Sequence, residues 1–131
     1  MIKIFSNYKI IFYSINFSLI FLYLFPGSLL GLIIYGDQNI QPQITKDFII
    51  SSNHFYVFLV MSTIGFLTFT EARPKKKLII YLILLSLVLE IFHLFIPGRN
   101  YEWKDLFGNF LGVIIVILIK YFINKYGYFE K

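Results

Sequence analysis

The chain has 131 residues, 58% of them hydrophobic and 21% aromatic, with a mean hydropathy of +0.74, against about 45–50% apolar in an ordinary soluble domain. Only 15% of residues are charged, and they are bunched between long apolar runs; this composition argues against a water-soluble single domain, and the runs read as membrane spans. With no cysteine, disulfides, thiolate nucleophiles and cysteine-based zinc sites are excluded.

Four apolar stretches follow in chain order, approximately residues 10–32, 54–70, 78–97 and 106–123. Each is near the roughly 20 helical residues needed to cross about 30 Å of hydrocarbon. Four spans cannot close a β-barrel, and lipid offers backbone groups no water, so the expected fold is all-α, a four-helix transmembrane bundle forming a single domain. The first span follows Lys3 and Lys9 but is too long and lacks the small-residue cleavage site of a signal peptide, so it reads as an uncleaved anchor. Pro26-Gly27 falls inside it and is expected to kink or end it, leaving the following residues nearer the interface. Residues 36–53 form the longest polar stretch and read as an exposed outer loop, and residues 71–77 read as a solvated turn.

The basic residues orient the bundle. Lys3, Lys9, Arg73, Lys75, Lys76, Lys77, Lys120, Lys125 and Lys131 fall on one side, and Lys46, Arg99 and Lys104 on the other. This bias places both termini in the cytoplasm and makes the protein multi-pass in the cell membrane. The formal charge of +5 is then a topology signal and a contact for anionic lipid, with no nucleic-acid surface implied. Tyr101 and Trp103 at one edge, and Tyr121, Tyr126 and Tyr128 at the other, fall where interfacial aromatic belts belong. The GxxxxGK[ST], GxGxxG, GxSxG and HExxH patterns are absent, which leaves nucleotide, serine-hydrolase and zincin readings unsupported.

Chemistry is expected where polar groups enter the spans. Glu90 lies about seven residues, roughly 10 Å, inward from Pro97, where an ionisable group costs about 2.5 kcal/mol or more to insert and turns to the bundle interior. His93 shares its helix face at i+3, and Asp105 and Asn109 share another at i+4. Arg99 sits in the turn between those helices and His54 opens the second span. Odd spans end on the outer side and even spans begin there, so His54, Glu90, His93, Arg99, Asp105 and Asn109 are predicted to converge in one layer. Gly108 and Gly112 form a GxxxG expected to bring the third and fourth spans together, with Glu90 against Asn109.

The run Glu90-Ile91-Phe92-His93, then Pro97-Gly98-Arg99, Asp105, Asn109 and Gly112, resembles the VanZ-like family of small bacterial membrane proteins, whose pattern is approximately E-x-x-Q, P-G-R-x5-D-x3-N-x2-G. The likeness covers residues 51–119, and His54 is similar to the family's histidine at the start of the preceding span. His93 stands where the family has Gln, and Ile50-Ser51 where an Asp-Lys pair commonly precedes the histidine. The resemblance implies a link, in some members, to resistance to the glycopeptide teicoplanin; it supplies no reaction.

Each residue also has a plain structural reading. Glu90 can latch two helices through Asn109 or Arg99, Asp105 can be the N-cap of the last helix, and Asn109 can be interhelical glue, as Lys120 can snorkel to the interface. No metal and no cofactor are expected, because the only close pair with metal-ligand spacing is Glu90–His93 and Arg99 opposes a cation. Two functions compete. In the first, the outer polar cluster binds membrane lipid, a lipid-linked cell-wall precursor or an envelope partner, with Arg99, His93 and Asn109 as binding residues. In the second, a small intramembrane enzyme acts on a lipid phosphate or lipid-linked group, with Arg99 holding phosphate and His54, Glu90 and Asp105 moving protons. A proton-coupled transporter fits less well, since four short spans enclose little lumen unless copies assemble as a homo-oligomer.

Overall fold

The computed structural model describes residues 2–127, with side chains over 8–127; the side chains of Lys3, Tyr128 and Lys131, used above for orientation and interface, lie outside the described residues. Five helices follow in order, α1 (Ile2–Leu24), α2 (Leu29–Tyr35), α3 (Ser52–Thr68), α4 (Ala72–Phe92) and α5 (Trp103–Tyr126), with no strand among the described residues.

The first apolar run is broken. α1 ends at Leu24, and α2 leaves at 85° to the part of α1 that begins at Tyr8. The break follows from Pro26, which removes a backbone donor, and from Gly27, whose φ of +81° suits no other residue type well. α2 restarts because the Ser28 hydroxyl accepts the Gly31 N–H at 2.9 Å, and it stops at Gly36 in the left-handed conformation. The expected first span of residues 10–32 is thus a straight helix ending at Leu24 plus a short turned one.

The other boundaries also move. Residues 71–77 are not a solvated turn: Glu71 is the N-cap and Ala72 onward is helical, with Pro74 in the first turn, where a missing N–H costs nothing. α4 stops at Phe92, and residues 93–98 turn back toward α5. By length and composition α5 is long and apolar enough to cross a membrane, as is the bent α1–α2 pair taken together. α3 has 17 residues and α4 carries its basic run inside its first turns, so the four expected spans are unequal as helices.

α3 is central and packs on α1, α4 and, most extensively, α5. A Cβ on Gly108 would lie 2.8 Å from the Ser51 carbonyl oxygen, and one on Gly112 would lie 2.7 Å from that of Phe55. The GxxxG therefore admits α3, not α4 as the sequence suggested; close backbone approach is what such a pair permits. Phe12, Leu19, Phe58, Met61, Leu82, Leu89, Val113 and Val116 form the apolar interior. Six polar residues, Ser52, Ser62, Ser86, Glu90, His93 and Asn109, are equally buried, while Phe17, Leu84, Phe107 and Ile119 are exposed. So much exposed apolar surface departs from the usual soluble domain.

Candidate functional site

The C-terminal ends of α1 and α4 and the N-terminal ends of α3 and α5 meet at one end of the bundle, and each brings polar side chains to it. Asn109 of α5 is fully buried. Its Nδ2 donates to the Ser86 carbonyl at 3.2 Å, and its Oδ1 accepts the Tyr23 hydroxyl at 2.6 Å. Because a backbone carbonyl only accepts, this sets the amide orientation and leaves Oδ1 as an acceptor toward α3.

His54 of α3 answers it. Its Nδ1 lies 3.0 Å from Asn109 Oδ1 and 2.9 Å from the Tyr23 hydroxyl. With Oδ1 unable to donate and the Tyr23 proton committed to Asn109, Nδ1 carries the imidazole proton. Nε2 faces Asp105, whose Oδ2 is 3.5 Å away, and carries the lone pair of the neutral ring.

Glu90 and His93 of α4 occupy the floor. Glu90 is fully buried; its Oε1 accepts the Glu102 N–H at 3.1 Å. Oε2 lies 3.1 Å from His93 Nδ1 and 4.0 Å from His54 Nδ1, yet it has no aligned hydrogen-bond partner. His93 is fixed through its other nitrogen, Nε2, at 3.0 Å from the Tyr23 carbonyl, and its ring stacks on that of Tyr23. At neutral charge His93 thus also turns a lone pair toward a carboxylate oxygen.

Arg99 follows a different course from the pairing expected of it. Nε donates to the Phe25 carbonyl at 3.0 Å and Nη2 to the Leu22 carbonyl at 2.7 Å. No carboxylate among the described residues lies within 4.0 Å of it. The guanidinium caps the carbonyls orphaned where α1 stops, where a cation also meets the negative end of the helix dipole. Burial lowers its pKa from the ordinary value while Tyr23, Glu90 and Asp105 act the other way, and it remains charged.

Asp105 is part-exposed in the first turn of α5, but the N-cap is Glu102. Glu90 contacts neither Asn109 nor Arg99 in a hydrogen bond or ion pair. The layer therefore gathers His54, Glu90, His93, Asp105 and Asn109, with Arg99 beside it facing α1. Tyr23 was missed: with the first span drawn to residue 32 it sat at mid-depth, whereas the stop at Leu24 puts it at the polar end. The Pro26-Gly27 pair was the available signal. Also missed was Asp47, which accepts the Ser52 N–H at 3.0 Å and pairs with Lys104 at 3.7 Å, tying the loop after α2 to α5.

Two cavities adjoin the cluster. A polar chamber of about 380 Å³ is lined by Ser28, Asn53, His54, His93, Arg99 and Asp105 among others. A second, of about 250 Å³, shares His54, Arg99, Ser28 and Asn53 with it and continues between Leu19, Leu22, Leu30 and Val57. A polar space and an apolar one thus lie side by side, with a histidine and an arginine in the wall of both.

No curated protein and no solved structure matches the chain. The comparison with protein families gives one match, described as VanZ/LLP1, which runs over residues 5–124. That span takes in α3, α4 and nearly all of α5, and with them every side chain of the buried cluster. The residues gathered at the polar end of this bundle are thus those of a chain that belongs to the VanZ/LLP1 family.

Proposed function

We propose that the chain is a multi-pass protein of the cell membrane with four spans and cytoplasmic termini, and that its polar end faces outward. There it takes the polar head of a membrane lipid or lipid-linked cell-envelope component into the chamber and lays the apolar chain in the adjoining groove. The observation that carries this reading is the adjacency of the two cavities, which share His54 and Arg99 in their walls: a molecule that is polar at one end and apolar at the other suits the pair. The many exposed apolar side chains support insertion in lipid, and the distribution of basic residues supports the orientation. A role of the teicoplanin-resistance kind then follows from altered access of a glycopeptide to such a component.

A second reading is favoured by one feature, the placing of His54 between two carboxylates: the same chamber converts what it binds, with Arg99 on a phosphate and His54, Glu90 and Asp105 handling protons. Glu90→Gln separates the two. It retains shape and an acceptor for the Glu102 N–H, so binding of a lipid phosphate measured in nanodiscs stays within about threefold while turnover collapses. Arg99→Lys loses the fork that holds two carbonyls and weakens lipid binding. Retention of full binding by Arg99→Lys rejects the outer-chamber reading. Orientation is tested by cysteines at Lys46 and Lys76, both exposed, probed with an impermeant reagent on intact cells; labelling at position 76 and protection at 46 overturns it.

A further inference from the structure

We propose that His54, Glu90 and Asp105 form a binding site for one divalent transition-metal ion, of which zinc is the representative. One nitrogen of His54 and one oxygen from each carboxylate lie within 4.8 Å of one another. The 3.5 Å between His54 Nε2 and Asp105 Oδ2 is close to the roughly 3.4 Å that separates two ligands of a tetrahedral ion at bonds of about 2.1 Å.

Three independent features point to a cation at this spot. The first is tautomeric: Asn109 and Tyr23 hold a proton on His54 Nδ1, so in the neutral ring the lone pair is on Nε2, which faces Asp105. A hydrogen bond from the distal ring nitrogen to a fixed acceptor is how a metal-ligating imidazole is oriented. The second is Glu90 Oε2, fully buried, 3.1 Å from His93 Nδ1 and 4.0 Å from His54 Nδ1 and without an aligned hydrogen bond to either; a buried carboxylate oxygen without a donor needs a proton or a cation. The third is charge. No Arg or Lys among the described residues pairs with Glu90 or Asp105, and the nearby guanidinium is turned to the α1 carbonyls. One divalent ion makes the set of three ligands neutral.

The two objections that the sequence raised fall away in the fold. Ligand spacing along the chain does not matter when α3, α4 and α5 each supply one ligand, and Arg99 does not pair with the acids. Each carboxylate closes on the ion by turning about its terminal torsion, which is broad. Three protein ligands leave one coordination position, and His54 and Asp105 both line the polar chamber, so the open side faces it. This is the ligand count of zinc sites that keep a position for water or another ligand. The site is argued from the protein's own side chains and holds whether or not a lipid enters the chamber, so failure of the lipid reading leaves it standing.

The test uses the full chain in detergent micelles, stripped with chelator and titrated with Zn2+ by calorimetry, with bound metal counted by elemental analysis and folding followed by circular dichroism. One equivalent of zinc per chain is expected. Asp105→Asn, at the rim, and His54→Ala are each expected to weaken binding tenfold or more with helicity unchanged, and Glu90→Gln to do the same. Co2+ added to the native chain should give the visible absorption of a low-coordinate site, displaced by Zn2+. Zinc bound as tightly by Asp105→Asn and His54→Ala as by the native chain overturns the proposal. If the variants lose helicity, the native chain decides: no stoichiometric zinc and no displaceable cobalt band also overturn it.

Discussion

Near the start of α4, Phe12, Phe66 and Leu78 meet in the interior with Phe69 packed against them, and the rings of Phe12 and Phe69 stand edge to face at 5.2 Å between centres. Near the end of α4, the same depth of packing holds Glu90, His93 and Asn109, all within 2% of complete burial. The first end is held by dispersion and the exclusion of solvent, which are non-directional and tolerate a change of shape. The second is held by directed contacts in which nearly every donor and acceptor is committed, and it leaves one carboxylate oxygen over. A cavity of about 440 Å³ at the first end is lined by Phe12, Phe69, Leu78 and Tyr81 among others, and the basic residue on its wall, Lys77, is exposed. The two ends differ in buried polar groups and not in the volume of the cavity beside them.

That contrast can be broken or sharpened in order of effect. Gly112→Leu should cost about 3 kcal/mol or more, because the new side chain meets the α3 backbone directly and overpacking there cannot relax. Both ends should loosen together in thermal unfolding. Leu78→Ala should cost about 2–3 kcal/mol through lost packing and the cavity left behind, with metal and lipid binding at the far end unchanged. Asn109→Ala should cost about 1–2 kcal/mol, since it strips acceptors from Tyr23 and His54 and leaves a buried hydroxyl unpaired. Unlike Leu78→Ala, it should also weaken zinc binding in the titration above, which tests whether the two ends are energetically separate. Lys104→Met should cost no more than about 0.5 kcal/mol, as its pair with Asp47 is solvent-exposed and such pairs contribute little.

The placing of the site was more legible in the sequence than its wiring. The order of apolar runs was enough to gather His54, Glu90, His93, Asp105 and Asn109 at one end, because alternation of direction is a topological fact that small errors in span limits do not disturb. The limits themselves were not legible: Ile49, Ile50, Leu94 and Phe95 are as apolar as any span residue yet lie outside the helices, and hydropathy does not distinguish a greasy turn from a helix. The partner of the GxxxG was hidden too, since small residues mark a face that permits contact without naming what fills it. Arg99 was misread because paired charges come first to mind, whereas a helix that stops at a proline creates neutral acceptors just as needy as an acid. Tyr23 was lost with the end of α1.

The clasp between Arg99 and the end of α1 sets an accounting limit on the chamber. A guanidinium offers five N–H donors, and Arg99 has placed two of its nitrogens on Phe25 and Leu22. What is left suffices for an anion to dock without unfastening the helix end. An acceptor that demanded the whole fork would have to pull α1 open to obtain it, so recognition at this corner and the integrity of the first helix draw on the same five hydrogens.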